Sequence, residues 1–298
     1  MNKTFLTVSA ILFLAFSLSA GNPGTSALHF LDLGAGARAA AMGDNFTAVS
    51  DDATSPYWNP AGMVKLEKPA ASVMHALWIE DISYDWVSYI RPFGFGHLGI
   101  GVTYASYGNI DETDTTGAST GDTFTPSDTA ISLSYARNIC EIPGGITVKN
   151  ISSSIGGESA SAMAIDLGIL KDMMDGKLML GFAVQNLGTK IKYIDEEDTL
   201  PMNIKLGAGY MATDKILLAS DIVMPSDNDI SFGLGAEYMY NAGEKLTVPV
   251  RAGYNTKSDE GGMNAGIGFK LGNYSLDYTF SIFGDLGNTQ RISFEFCF

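Results

Sequence analysis

Two glycine-containing motifs in this sequence match patterns that elsewhere perform chemistry. Residues 94–99 (GFGHLG) fit GxGxxG, which cradles phosphate when it follows a strand and opens a helix. Here the motif leads into a strand-like segment, so we interpret it as a tight turn. Residues 117–121 (GASTG) fit the GxSxG nucleophile elbow, which needs a histidine later in the chain. The histidines, His29, His75 and His97, all precede it. The sequence therefore predicts no enzyme, and we expect neither a cofactor nor a catalytic metal.

Two acidic segments are the remaining candidates for ligand binding. One holds Asp111, Glu112, Asp114, Asp122 and Asp128, and the other is residues 195–198 (DEED). Carboxylates in flexible loops are able to bind calcium, although the spacing of an EF-hand is absent. The alternative is a solvated rim of like charges that repel one another. We expect both segments to lie in surface loops.

A row of ionisable residues of both signs falls on the polar phase of segments in which every second residue is apolar. The row comprises Asp85, Lys205, Glu237, Arg251, Lys270, Asp277, Arg291 and Glu295. If these segments cross a membrane, a Lys or Arg facing lipid at mid-depth costs about 2–4 kcal/mol. The row is therefore expected to face the lumen of a barrel. It predicts either a structural ladder of ion pairs or a polar lining that grips a plug or guides a solute.

The elements that position this row are strands, because from residue 69 onward the hydrophobic period is two. Apolar rows run through Ile82, Tyr84 and Trp86, through residues 98–104, and on to residues 292–298. Cutting at turn signals gives about fourteen strands, an even number that is typical of outer-membrane barrels. The predicted strands are residues 69–79, 82–92, 96–108, 127–139, 144–155, 160–170, 176–187, 201–211, 215–224, 229–239, 244–254, 262–271, 273–282 and 288–298. The fold class is thus an all-β transmembrane antiparallel barrel.

The connections between these strands alternate in length. Tight turns such as 94–95 and 272–273 alternate with long links such as 109–126 and 188–200. This alternation predicts short turns at a periplasmic rim and long loops outside. Pro249 lies within an otherwise regular strand. Because proline donates no ladder hydrogen bond, it predicts a bulge or a local gap in the wall, which could serve as a lateral exit.

The amino-terminal residues and the overall charge suggest where the protein works. Residues 1–21 combine Lys3, an apolar run and small residues, which predicts a cleavable secretory signal peptide. The formal net charge of -15 argues against nucleic acid as a partner, since phosphates attract a basic surface. Cys140 and Cys297 lack metal-ligand spacing. We expect them to be unpaired, although two cysteines in an exported chain are able to pair.

Residues 51–62 (DDATSPYWNPAG) separate the leader from the strands. Two prolines and an Asn-Pro step cannot continue a helix or a central strand, so we expect a turn-rich piece of backbone. Together with residues 36–43 (GARAAAMG), this segment resembles the amino-terminal region of FadL-like outer-membrane proteins, and within them the PorV/PorQ branch. Asp44 stands where that family often has a second glycine.

The resemblance implies a plug within the barrel, so we divide the chain into a signal peptide (1–21), a plug (22–68) with short helices, and a barrel (69–298). Candidate plug and ligand-binding residues are Arg38, Asp52, Tyr57, Trp58, Asn59 and Pro60. Tyr57 and Trp58 either pack against the wall or line a solute pocket. If carboxylates hold Arg38 in the lumen, it anchors the plug.

Two functions remain open at this point, both in the bacterial outer membrane and in contact with its lipid. The first, implied by the resemblance to FadL-like proteins, is passive uptake or efflux of hydrophobic or amphipathic solutes through a plugged barrel. The second, implied by the PorV branch, is a non-conducting accessory of type IX protein secretion that binds secreted proteins and passes them on. Phe298 resembles the terminal aromatic residue that the barrel-assembly machinery recognises.

Overall fold

The computed structural model describes residues 24–79, 82–257, 262–284 and 287–298. The predicted signal peptide, residues 1–21, lies outside the described residues. Within the described ranges, no helix is both long and apolar enough to cross a membrane.

Eighteen strands are described, and their bounds follow the period-two segments of the sequence closely. They are β1 (Ala70–Leu77), β2 (Ser83–Phe93), β3 (Gly96–Ser106), β4 (Ile110–Thr113), β5 (Ser119–Phe124), β6 (Ser127–Ile139), β7 (Ile142–Ile155), β8 (Glu158–Met173), β9 (Leu178–Gly188), β10 (Ile191–Lys192), β11 (Glu197–Asp198), β12 (Asn203–Thr213), β13 (Ile216–Pro225), β14 (Ser231–Asn241), β15 (Leu246–Asn255), β16 (Gly262–Leu271), β17 (Tyr274–Ile282) and β18 (Asn288–Cys297).

Fourteen of these strands form one closed antiparallel barrel, in the order β1-β18-β17-β16-β15-β14-β13-β12-β9-β8-β7-β6-β3-β2. The first and last strands close it, with a register from Ala70 opposite Cys297 to Leu77 opposite Gln290. The predicted fold class and strand number are therefore confirmed. Closure leaves no unpaired sheet edge, which a β-structure in a lipid bilayer requires.

The two rims of the barrel differ as the sequence predicts. The rim that carries the termini of the barrel has short turns, for example residues 94–95 between β2 and β3. We call this the short-turn rim and the opposite one the long-loop rim. The long loop after β3 carries the β4–β5 hairpin, and the loop after β9 carries β10 and β11. Asp128, predicted to lie in a loop, is instead a buried residue of β6, because its carboxylate accepts hydrogen bonds from Tyr107 and Ser153.

Side chains alternate between the two faces of the wall. On β3, Ile100, Val102 and Tyr104 are exposed on the outer face, whereas Thr103 and Ala105 are buried. The outer face is thus apolar along most strands, as contact with lipid demands. Aromatic rings gather on it near the short-turn rim, where Phe296 packs against Tyr274 and Phe298.

The N-terminal segment (residues 24–68) fills the inside of the barrel with short helices. They are a 3-10 helix (His29–Asp32), α1 (Ala37–Ala41), α2 (Ser55–Trp58) and a second 3-10 helix (Pro60–Lys65). Proline stands at the start of both later helices, where its missing N–H leaves no intrahelical bond unmade. Asp44 adopts φ 62°, so the chain turns there in the left-handed conformation that a glycine would also take.

The predicted inward face of β2 is wrong, and with it the lumenal position of Asp85. Tyr84 and Trp86 are buried inside the barrel, and Asp85 points outward with Val87. The cause is the apolar filling of the lumen, because Trp86 packs edge-to-face on Tyr57 at 5.7 Å between ring centroids. Asp85 pairs across the strands with His75, Oδ1 to Nδ1 at 2.7 Å, and both side chains are about half exposed.

Pro249 interrupts the pairing of its strand on one side only. Between β15 and β16 the register passes from Thr247 opposite Lys270 to Val250 opposite Ile267. Pro249 remains paired with Met239 of β14. The register is the same on both sides of the interruption, so the structure has a local gap and not a bulge. Cys140 and Cys297 are both free, as predicted.

Candidate functional site

Arg38 of α1 connects the N-terminal segment to the barrel wall. Its guanidinium donates to Glu237 of β14 from Nε (3.0 Å) and from Nη2 (3.1 Å). Nη1 reaches Asp51 at 2.5 Å and Asp52 at 3.2 Å. One guanidinium thus contacts three carboxylates, two of them from its own segment, in the bidentate geometry that favours Arg over Lys.

Electrostatics fix the charge state of this centre. Burial by itself disfavours the charged guanidinium, but the carboxylates of Asp51, Glu237 and Asp52 raise the pKa of Arg38 well above its ordinary value. Burial also raises the pKa of Asp52, while Arg38 opposes that rise. Arg38 is therefore a permanent positive charge inside the barrel, and its removal would deprive the buried Asp52 of its guanidinium partner.

The charge chain continues along the wall, as the sequence predicts for part of the row. Arg251 of β15 donates to Glu237 at 2.5 Å and to Asp277 of β17 at 2.5 Å. All three side chains are buried or nearly so. These wall residues therefore form an ion-pair ladder that ends on Arg38 of the N-terminal segment. Buried pairs of this kind stabilise only when they are complete, because each lone charge would be costly.

Glu295, Asp52 and Lys270 lie around a cavity of about 290 Å³ at the short-turn rim. Glu295 accepts a hydrogen bond from the backbone N–H of Ala53 at 2.8 Å. Lys270 lines the same cavity but is exposed at the end of its strand. Pro249 also lines this cavity, so the interruption of pairing between β15 and β16 lies beside the interior space.

The residues of the Tyr57–Pro60 motif hold the segment together and attach it to the wall. Trp58 is buried, and its Nε1 donates to the carbonyl of Ala35 at 2.7 Å. The hydroxyl of Tyr57 donates to the Leu31 carbonyl at 2.8 Å. Tyr57 also borders a small void of about 10 Å³ beside Trp86. Both aromatic residues therefore pack, and the space beside Tyr57 is too small for a solute.

Asn59 connects the motif to the strands. Its amide donates to the carbonyl of Thr47 at 2.9 Å and to that of Ile169 in β8 at 3.2 Å. Its carbonyl oxygen accepts from the N–H of Ala61 at 3.2 Å, which caps the 3-10 helix that begins at Pro60. A residue with both donors and an acceptor is needed here, and asparagine supplies them.

Two further cations of the predicted row stand over indole rings. The ammonium of Lys205 lies 4.9 Å from the Trp58 ring centroid, and the guanidinium of Arg291 lies 5.0 Å from that of Trp78. Arg291 also donates weakly to the carbonyl of Gly34 at 3.4 Å. These cation–π contacts position the two charges over the rings.

The sequence reading missed two buried polar centres. Asp221 of β13 accepts hydrogen bonds from the backbone of Phe46 (3.1 Å) and Thr47 (3.0 Å). Lys149 of β7 pairs with Asp166 of β8 at 2.8 Å. The same alternation contained the signal, because Lys149 is buried between the outward-facing Val148 and Asn150 of β7. Assigning an inward face to every strand from this alternation would have identified Lys149, Asp166 and Asp221.

Glycines let the N-terminal segment approach the wall at backbone distance. A Cβ on Gly253 of β15 would overlap the N atom of Gly43 and the carbonyl carbon of Met42. On Gly145 of β7 it would overlap the backbone of Pro60. Glycine at these positions therefore allows close backbone contact that no side chain would permit.

The volumes of the cavities beside the N-terminal segment limit the size of any ligand that the site could hold. The 290 Å³ cavity at the short-turn rim and one of about 260 Å³ at the long-loop rim lie on opposite sides of it. A third, lined by Asp44, Trp58 and Lys205, has only about 30 Å³. Within the described residues, no group of three or more His, Cys, Asp or Glu side chains could hold a metal ion.

Comparison with solved structures identifies relatives of the fold. The toluene transporter TbuX of Ralstonia pickettii superposes with a TM-score of 0.66 at 14% identity, covering 89% of this chain and 98% of that one. The toluene transporter TodX of P. putida gives a TM-score of 0.62 at 11% identity, covering 89% and 99%. At these identities the likeness concerns the fold. No curated protein sequence gives a significant match.

The amino-acid sequence of the chain matches the model of a protein family. The model described as type IX secretion system protein PorV matches residues 19–231 of the 298-residue chain. That span includes the whole N-terminal segment and the strands up to the start of β14. The barrel fold and this match together indicate a bacterial outer-membrane β-barrel protein. The chain belongs to the PorV family, as the motifs at residues 36–43 and 51–62 had suggested.

Proposed function

We propose that this protein is a non-conducting outer-membrane partner of type IX protein secretion, in which the N-terminal segment acts as a permanent plug. The observation that carries the proposal is the attachment of Arg38 to Glu237 and onward to Arg251 and Asp277. A plug that opens for each solute would have to break this buried chain, and separating a buried pair costs about 3–5 kcal/mol.

The packing of the segment supports the same function. Asn59 and Trp58 are fully buried, and Gly253 lets the backbone of residues 42–43 lie against β15. The match to the PorV family supports a connection with type IX secretion. In this role the outer face and the loops contact other secretion components, while the sealed lumen keeps the membrane impermeable.

A second function is favoured by one specific observation, the gap at Pro249. The 290 Å³ cavity inside the barrel extends to Pro249 and to Phe269, whose side chain is on the outer face. A hydrophobic solute entering at the short-turn rim could leave sideways through this gap. The transporters of similar fold carry toluene according to their descriptions, which supports a hydrophobic solute as the cargo in this alternative.

Flux measurements distinguish the two functions. The purified protein is placed in liposomes, and the permeation of toluene and of a small polar dye is compared with that of protein-free liposomes. A variant lacking residues 21–62 is the positive control for an open barrel. The secretion role predicts no flux for the intact protein and flux of the dye through the truncated one. Toluene flux through the intact protein would overturn the proposal that the barrel is sealed.

Gene disruption tests the secretion role directly. If the proposal is correct, loss of the gene leaves the proteins that the type IX system exports inside the cell, and a plasmid copy restores their export. Unchanged export would exclude the role in secretion. The Glu237→Gln variant then tests whether export requires the sealed state. It removes the charge that holds Arg38 but keeps the shape of the side chain.

A further inference from the structure

The cavity of about 260 Å³ at the long-loop rim, which we call the outer cavity, combines aromatic rings with amide and charged side chains. Trp78 and Phe283 contribute two rings in edge-to-face contact, 5.0 Å between centroids. Asn203, Asn255 and Asn264 contribute amides from β12, β15 and β16. The lining therefore runs from an aromatic end to an amide-rich end around half of the barrel.

Two oppositely charged side chains of this lining, Arg291 and Asp44, each keep a buried polar atom without a partner. Arg291 is 3% exposed, and its Nε has no hydrogen-bond partner. Its guanidinium stands over the Trp78 ring, and Nη1 donates to the Gly34 carbonyl at the long distance of 3.4 Å. Asp44 lines the same cavity, and its Oδ1 is likewise buried without a partner. Both side chains flank Gly34, where a Cβ would lie 3.1 Å from Arg291 Nη1 and 3.2 Å from Asp44 Oδ1.

The mixed lining excludes several classes of ligand. A hydrocarbon would leave the buried Arg291 Nε and Asp44 Oδ1 without hydrogen bonds, which is costly. A lone anion would meet four carboxylates, Asp32, Asp44, Asp227 and Asp229, which outnumber Lys257 and Arg291 in the same cavity. A metal ion lacks a set of ligands among the described residues. What remains is a neutral ligand that both donates and accepts hydrogen bonds.

We propose that the outer cavity binds a sugar residue. A hydroxyl group donates to carboxylate and amide oxygens and accepts from guanidinium and amide N–H groups, so one type of group satisfies both signs of charge. The C–H face of a pyranose ring packs on the exposed parts of Trp78 and Phe283. Pockets for drug-sized ligands have about 300–1,000 Å³, so a cavity slightly below that range suits one sugar ring.

The sugar has two possible sources with the same chemistry. It is either a free saccharide from the medium or a residue of a glycan on the cell surface, because the outer cavity lies at the rim of the long loops. The inference goes beyond the proposed function and does not depend on it. A sealed barrel and a conducting one would both present this cavity.

Calorimetry on the full-length protein in detergent tests the inference. The probes are glucose, galactose, mannose and N-acetylglucosamine, and a lipid-free oligosaccharide released from the host's lipopolysaccharide. Toluene and glycine are the comparison ligands. We expect saturable binding of at least one saccharide. Binding of the oligosaccharide alone assigns a surface glycan, and binding of a monosaccharide as well assigns a free sugar. If no saccharide saturates the protein, the inference is wrong.

Two variants connect the binding to the outer cavity. Trp78→Ala should weaken it about tenfold, equal to about 1.4 kcal/mol. Phe95→Ala, which removes an exposed ring at the opposite rim, should leave it unchanged. Asp44→Asn retains the shape of the side chain and gives an answer if Trp78→Ala fails to fold. Saccharide binding that is the same in Asp44→Asn and Trp78→Ala as in the parent protein would overturn the assignment to this cavity.

Discussion

The guanidinium of Arg38 donates two hydrogen bonds to the carboxylate of Glu237, Nε to Oε2 at 3.0 Å and Nη2 to Oε1 at 3.1 Å. Arg38 belongs to the N-terminal segment and Glu237 to β14, so the pair ties the filling of the barrel to its wall. Because Arg251 contacts the same carboxylate, Glu237 would keep one counter-ion if Arg38 were lost. Asp51 and Asp52 would not.

Arg38→Ala should loosen the N-terminal segment while the barrel stays folded. The change leaves the buried Asp52 and the exposed Asp51 without their guanidinium partner, and breaking a buried pair such as Arg38–Asp52 costs about 3–5 kcal/mol. Hydrogen exchange of residues 30–60 measures the effect, which we expect as loss of protection there and none in the strands. Lys65→Ala is the matched control, since its pair with Asp172 is partly exposed and worth about 1 kcal/mol or less. If residues 30–60 keep their protection from hydrogen exchange in Arg38→Ala, Arg38 does not anchor the N-terminal segment to the wall.

Gly253→Ala should displace the segment by a different mechanism. The added methyl group would overlap the backbone of Gly43 and Met42, and overpacking of this kind costs about 1–3 kcal/mol. We expect the barrel of this variant to unfold at a lower temperature than the parent barrel. The measurement is the gel mobility of samples heated to increasing temperatures, which separates folded from unfolded barrel. Gly94→Ala is the control, because a Cβ at Gly94 meets nothing within 4 Å. Equal unfolding temperatures for the two variants would count against close backbone packing at β15.

Much of the wall could be predicted from the sequence, because the period of two is imposed by lipid outside and a packed interior inside. The predicted strand at residues 127–139 coincides with β6 and that at residues 262–271 with β16. The fit is weaker where loops begin, and the small β4–β5 hairpin was not predicted. Exposed loop residues carry no apolar alternation, so only turn chemistry marks such a hairpin.

The site was predictable only in part, for a reason that β2 makes clear. An empty or watery lumen would select polar side chains inside, and then polarity would distinguish the two faces. Here Tyr57 fills the lumen beside Trp86, so apolar residues occupy both faces of the strand. Polarity then no longer shows which face of β2 points into the lumen. The prediction that Asp85 faces the lumen is wrong for this reason. Glu237 and Arg251 were placed correctly because their neighbours on the outer face are apolar.

Pro249→Val should close the gap between β15 and β16. Valine restores the N–H that proline lacks and favours extended backbone. If hydrophobic solutes leave through this gap, toluene flux in liposomes should fall severalfold, while the polar dye is unaffected. Val248→Ala, at the neighbouring position of the same strand, is the control for side-chain volume. Toluene flux that does not change in Pro249→Val would show that the gap is not an exit.

The orientation of the barrel predicts which cysteines a membrane-impermeant maleimide reaches on intact cells. Asp114 lies in the loop that carries the β4–β5 hairpin, and Cys140 lies in the turn between β6 and β7 at the short-turn rim. With the long loops outside, a cysteine at position 114 (Asp114→Cys, with Cys140→Ser and Cys297→Ser) should react on intact cells. Cys140 of the parent protein is exposed and should react only after the outer membrane is permeabilised. Labelling of Cys140 on intact cells, with protection of position 114, would reverse the orientation and would move the outer cavity to the periplasmic side.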